Sequence, residues 1–157
     1  MKKIQLIPVT DSNRSEVLKL SIKEEQAGFV ESVAQCLKEA RQSAVWRPVG
    51  IYDSGRLIGF AMYCLWKEDL PHGRVWLDRF LIDRREQGKG YGTVVLPILM
   101  EHILSQYRCS RLYLSVVPEN KPAIRLYQKF GFRFTGESDW NGELVMAYQK
   151  ETVKSII

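Results

Sequence analysis

Arg85-Glu86-Gln87-Gly88-Lys89-Gly90-Tyr91-Gly92 sets glycines at three alternate positions between two apolar runs, RVWLDRFLI before it and TVVLPILMEHIL after it. The pattern predicts a strand, a glycine-rich turn and a helix, in that order. Glycine allows the turn to be tight and brings backbone N–H groups close to whatever lies outside it. The helix that follows points its positive N-terminus at the same place, so the turn suits an anion such as a diphosphate. Taken alone, the three glycines serve equally well as a plain tight connection. No Gly-Lys-Ser/Thr closes the turn, which excludes a P-loop. The strand before it is not the first of a βαβ unit, which disfavours a dinucleotide fingerprint.

The remaining elements narrow the fold. IQLIPV reads as a first strand, and TDSNRSEVLKL, with several capping residues, begins a helix. ESVAQCLKEARQ reads as another helix, with Ser32 and Gln35 at capping-box spacing. PVGIY and RLIGFAMYCLW flank Asp53-Ser54-Gly55 as a hairpin. After the glycine turn, a helix is expected from about Thr93 to Tyr107, with Pro97 tolerated in its first turn. RLYLSVV is a strand. KPAIRLYQKF is a short helix stopped by Gly131, and FRFTGES with ELVMAYQ forms a closing hairpin. The expected fold class is therefore α/β (α+β), a mixed sheet with antiparallel hairpins at both ends, and not a strictly alternating Rossmann fold. Residues 1–157 read as one domain.

Composition excludes several classes. No apolar run is long enough for a transmembrane helix. MKKIQLIPVT is too short and polar for a signal peptide. Cys36, Cys64 and Cys109 are far apart and show neither a zinc spacing nor a disulfide framework, so they read as small buried hydrophobes in a reducing, cytoplasmic compartment. His72 reads as an exposed loop residue and His102 as a helix-surface or packed one; no metal site is expected. The net charge of +5 is spread along the chain without a basic block, so nucleic acid is not an expected partner.

A second motif gives the glycine turn its context. Asn120-x-x-Ala123-x-x-Leu126-Tyr127-x-x-x-Gly131-Phe132 follows Gln87-x-x-Gly90-x-Gly92. The pair resembles the Gcn5-related N-acetyltransferase (GNAT) family, and the order of elements extends the likeness over nearly the whole chain. The resemblance implies a sheet of about seven strands, mostly antiparallel, with two splayed parallel strands at its centre and about four helices. It implies acetyl-CoA as co-substrate. Its diphosphate would sit on backbone N–H groups of Gln87, Gly88, Lys89, Gly90, Tyr91, Gly92 and Thr93, with Lys89 adding charge. Phe80, Leu81 and Ile82 would pair with the pantetheine arm like an added strand, with the Leu81 N–H near the acetyl oxygen. Asn120 would bond the arm. Tyr127, otherwise a core aromatic, would protonate the leaving thiolate. Many members of the family pair as homodimers, and the same is expected here.

The acceptor amine must lose a proton. A primary amine has a pKa of about 10, so only roughly 0.1% is free base at pH 7, a cost of about 4 kcal/mol. Asp78, in an apolar strand beside Trp76, Leu77, Phe80 and Leu81, is the candidate base. EEQAGFV, WLDRFLIDRREQGKGYG, AIRLYQKFGFRFTGE and GELVM further resemble bacterial spermine/spermidine (diamine) acetyltransferases. That implies a polyamine acceptor held by Glu24, Glu25, Asp78 and Glu143, with Trp46, Trp76 and Trp140 as cation–π faces. The overall positive charge steers no polycation, so a locally acidic cleft is required. Another amine, or a non-catalytic acyl-CoA-binding role, stays open at this point.

Overall fold

The computed structural model describes residues 2–69 and 72–151. In chain order these form β1 (Ile4–Pro8), α1 (Arg14–Val17), a 3-10 turn (Glu24–Gln26), α2 (Val33–Gln42), β2 (Arg47–Asp53), β3 (Arg56–Trp66) and β4 (Arg74–Ile82). There follow α3 (Tyr91–Tyr107), β5 (Arg111–Val116), α4 (Lys121–Lys129), β6 (Arg133–Ser138) and β7 (Leu144–Gln149). The seven strands make one sheet in the order β1-β2-β3-β4-β5-β7-β6. Neighbours are antiparallel except β4 and β5, which run parallel. The mixed sheet expected from the element order is therefore present, with the parallel pair at its centre.

Local chemistry accounts for most boundaries. Ser54 and Gly55 both have positive φ, 49° and 84°, which suits the two-residue turn joining β2 to β3. Ser32 caps α2 by accepting from the Gln35 N–H at 3.2 Å. The reciprocal arm of the expected capping box is not made, because Gln35 Nε2 turns to Glu39 at 3.3 Å. α1 is a single turn, shorter than its run of capping residues suggests. Asn13 commits its side chain to Thr10 N and the Pro8 carbonyl, so the turn starts without a side-chain cap. α3 begins at Tyr91, ahead of the expected Thr93. Pro97 consequently lies in the second turn. Its missing N–H deprives the Thr93 carbonyl of a helical donor, and that residue is exposed to water.

The sheet is covered on both faces. On one, α3 buries Val95, Leu96, Leu99 and Ile103 against Ile51, Ala61, Leu77, Leu112, Leu114 and Met146. On the other, α1 and α2 bury Val17, Cys36 and Leu37 against Phe60, Met62 and Leu81. Two irregularities then shape the centre. β4 and β5 share a ladder pair at Trp76 and Tyr113 and part beyond it. In β4, Met62 opposes Arg79 while Tyr63 opposes Leu77, so Asp78 is an extra residue, a β-bulge. Leu77 packs toward α3 and Leu81 toward α2. The bulge thus resets the alternation and turns Asp78 and Arg79 to the same side.

Candidate active site

A cleft of about 1020 Å³ opens where β4 and β5 part. That is the size of a small-molecule site. One end is lined by the glycine turn, the start of α4 and Tyr127; the other by acidic and aromatic side chains from α2, β4 and the β6–β7 connection.

At the first end, Gly88 and Gly90 hold φ of 80° and 82°, the left-handed backbone from which anion-binding concavities of N–H groups are built. Gly92 serves packing instead: a Cβ there would lie 3.1 Å from Leu126 Cδ2 on α4. The turn is pinned by its side chains. Gln87 and Gln26 exchange amide hydrogen bonds at 2.9 Å in both directions, and Gln87 Nε2 also donates to the Ile82 carbonyl at 2.9 Å. Asp83 accepts from Ser21 N at 3.0 Å and Arg85 Nε at 2.9 Å. Burial alone would raise the Asp83 carboxyl, but these donors outweigh it and the net shift is downward. Lys89 does not face the cleft as expected: its ammonium bonds Glu86 at 2.9 Å, which also pairs with Arg56. Thr93 is likewise off the cleft wall, on the exposed side of α3. Asn120 caps α4, its Oδ1 accepting from Ala123 N at 3.4 Å, which leaves the amide N–H₂ for a ligand.

The strand geometry corrects one expectation. Asp83 N donates to the Ile58 carbonyl of β3 at 2.8 Å. By the two-residue alternation of a ladder, Leu81 also points its peptide groups at β3. The Leu81 carbonyl indeed lies only 2.6 Å from where a Gly59 Cβ would be. Phe80 and Ile82 point theirs the other way, into the gap, so an oxyanion donor on this strand is Phe80 or Ile82, not Leu81.

The second end is acidic. Glu31, Glu39, Asp69, Asp78, Asp139 and Glu143 line it, and Arg79 is the one cation among the described lining residues. Arg79 Nη1 bonds Asp78 Oδ2 at 2.5 Å and its Nη2 lies 3.6 Å from Glu39. Burial holds the Asp78 carboxyl above its ordinary value; Arg79 opposes this, while Glu39, Asp139 and Glu31 add to it. Burial, with Asp139 adding, raises the Glu143 carboxyl too. Trp46, Trp66, Trp76 and Trp140, all the tryptophans of the chain, line the same cleft. Trp76 Nε1 donates to Asp69 at 2.6 Å. The β6–β7 connection is shaped by Asp139 Oδ1, which accepts from Asn141 N and Glu143 N at 2.9 Å.

Glu24 and Glu25, expected at this wall, lie exposed on the 3-10 turn and do not line the cleft. Glu31 and Glu39, on and just before α2, take that position. The polar face of α2 was the available sequence signal for Glu39. Gln26 was also missed, because its partner Gln87 is 61 residues away in sequence.

Tyr127 faces the cleft from α4, its ring 5.6 Å from that of Phe132. Its hydroxyl has no hydrogen bond among the described residues, and burial pushes its pKa up to about 12. The cysteines are free thiols; burial pushes Cys36 up to about 11 and Cys64 up to about 12. His102 bonds the Tyr63 hydroxyl at 3.0 Å, and His72 is exposed. No cluster of metal-ligating side chains occurs among the described residues.

A seven-stranded mixed sheet whose parallel centre opens over a glycine-rich helix start is the frame of a CoA-dependent acyltransferase. The sequence signature of the Acetyltransferase (GNAT) family matches residues 14–132, and the chain belongs to that family. It is 49% identical over 146 residues to the spermine/spermidine N(1)-acetyltransferase of Bacillus subtilis strain 168, covering 91% of this chain and 96% of that protein. Among solved structures, an aminoglycoside acetyltransferase in complex with coenzyme A matches with a TM-score of 0.77 at 19% identity, over 94% of this chain and 95% of that one. The spermidine N-acetyltransferase of Vibrio cholerae, in complex with CoA and spermine, matches with a TM-score of 0.68 at 16% identity, over 92% of each chain. The two structures are likenesses of fold.

Proposed function

We propose that this enzyme moves the acetyl group of acetyl-CoA to a primary amine of a polyamine such as spermine or spermidine. The observation that carries the reading is the charge reversal at the acceptor end. Six carboxylates face one arginine there, in a protein whose net charge is +5. Such an end attracts a flexible polycation locally, and four tryptophan faces offer cation–π seats along it. The name of the Bacillus subtilis relative agrees with it.

In this reading the diphosphate rests on N–H groups of the Gly88–Gly92 backbone and the start of α3. The pantetheine arm lies beside β4 at Phe80 and Ile82, and Asn120 donates to it. Asp78 takes a proton from the ammonium, directly or through a water. The freed nitrogen attacks the thioester carbon, the N–C bond forms, and the Phe80 N–H holds the oxyanion. The C–S bond then breaks as Tyr127 protonates the departing thiolate; the nitrogen, now positively charged, gives up its second proton to solvent, and solvent reprotonates Tyr127 and takes the proton from Asp78. No covalent enzyme intermediate arises, which leaves the three cysteines without a chemical role. The chain acts as one domain in the reducing, cytoplasmic compartment that its unpaired cysteines suit and, as the family resemblance implies, as a homodimer, which sedimentation of the purified protein tests. No helix among the described residues is long and apolar enough to cross a membrane.

The test is thiol release from acetyl-CoA with spermine, spermidine or a short peptide bearing a free N-terminus, at equal concentrations. Turnover of the polyamines without the peptide is the expected result. Turnover of the peptide alone would sink the substrate assignment and leave the co-substrate standing.

A further inference from the structure

The β4 bulge places a fixed positive charge where a cationic substrate must bind. Arg79 is mostly buried, with its side chain 18% exposed, and Asp78 beside it is 23% exposed. Its Nη1 bonds both the Asp78 carboxylate, at 2.5 Å, and the Asp78 carbonyl, at 2.9 Å. Its Nε is buried with no hydrogen-bond partner among the described residues. A guanidinium kept for packing alone would be poorly placed here, since an orphaned buried donor costs stability. An apolar side chain would fill the same space between β4 and α2 without that cost.

We infer that Arg79 is a positioning residue for the reaction: a built-in cation that keeps the Asp78 carboxylate charged and turned into the cleft before any amine arrives. The inference rests on the reading of Asp78 as the base. The charged groups that act on Asp78 are all acidic except Arg79. Glu39 comes from α2, Glu31 from the segment before it, and Asp139 and Glu143 from the β6–β7 connection. The Cys64 thiol of β3 and the Cys36 thiol of α2 lie near and are neutral, held so by burial. Like charges and desolvation both favour a protonated Asp78, which cannot accept a proton from the substrate. Arg79 is the opposing charge. Because it is covalently part of β4, adjacent to the bulge, it acts at every substrate concentration.

The experiment is the pH dependence of kcat/KM for spermidine, which reports the free enzyme's essential groups. It is measured for Arg79→Gln, Arg79→Lys, Glu39→Gln and Asp78→Asn, with folding followed by circular dichroism and acetyl-CoA affinity by calorimetry. Loss of an opposite charge at this range raises a carboxylate pKa by about one to three units. Arg79→Gln is therefore expected to move the acid limb up by at least about one pH unit, a tenfold loss of activity below it. Arg79→Lys keeps the charge and returns the limb most of the way. Glu39→Gln removes a like charge and moves the limb down. A merely structural arginine would lower the thermal midpoint and leave the limb where it was, which overturns the inference while the base stands. Wild-type kcat/KM in Asp78→Asn overturns the base, and this inference with it. Should Arg79→Gln not fold, the opposite displacement in Glu39→Gln decides: a limb unmoved in that variant overturns the inference.

Discussion

Replacing Tyr127 by phenylalanine tests its proposed role as the proton donor. The hydroxyl has no hydrogen bond among the described residues, so its removal strands no buried partner, and the ring keeps its packing on Phe132 at 5.6 Å. The thermal midpoint should scarcely change. The kinetic cost has two bounds. A solvated thiol has a pKa of about 8.5. Against a phenol raised to about 12, such a thiolate only accepts a hydrogen bond, worth about 1.5–3 kcal/mol for a charged group. A thiolate released into the partly desolvated cleft is a stronger base. Burial acts in the same direction on the thiols of this core, raising Cys36 and Cys64. Proton transfer is then nearly matched, and general-acid catalysis contributes about 10²–10⁴-fold. The bounds meet near 100-fold, so kcat of Tyr127→Phe should fall by about that factor, close to 3 kcal/mol. The assay is steady-state thiol release with spermidine, with acetyl-CoA affinity measured in parallel by calorimetry. Unchanged kcat refutes the donor role. A loss accompanied by weakened acetyl-CoA binding or a lowered midpoint refutes the premise that the hydroxyl is free of structural work.

Two further outcomes test the ends of the cleft separately. Trp140 is 92% exposed and contributes no core; Trp140→Ala should leave the thermal midpoint unchanged and raise the spermine KM about two- to fivefold, the worth of an exposed cation–π contact. An unchanged KM for spermine removes Trp140 from the acceptor site. Gly90 sits at φ 82° with open space around it; Gly90→Ala pays only backbone strain, about 1–2 kcal/mol, and should weaken acetyl-CoA binding in calorimetry while the polyamine KM holds. Equal weakening of both ligands would show that the turn is not specific to the cofactor end.

The sequence made the elements legible because their signals are local. RVWLDRFLI matches β4 residue for residue, and Gly131 stops α4 where the pattern ends. What escaped depends on pairing between distant segments. The bulge at Asp78 is a matter of register against Met62 and Tyr63, which no reading of β4 alone supplies. That register reverses the direction of the side chains before and after it, and so decides that Arg79 joins Asp78. The Leu81 expectation failed for a related reason: which peptide groups face the gap is fixed by the β3 ladder. The acidic residues divide by position rather than type. Glu24 and Glu25 face solvent on a turn, while Glu39 is carried to the cleft by the axis of α2. A summed charge of +5 hid a locally acidic end because addition discards location.

The sheet itself is unfinished. Its halves, β1–β4 and β5–β7, meet at the Trp76–Tyr113 pair, and the peptide groups of Phe80 and the N–H of Ile82 look across an open seam. On the reading above, the co-substrate supplies the missing rungs. A ligand that binds only the folded chain adds stability by mass action, about 2.7 kcal/mol at a hundred times its dissociation constant. The fraction of such a protein that is open to a protease then falls as acetyl-CoA rises, so the seam couples the persistence of the fold to the supply of the co-substrate.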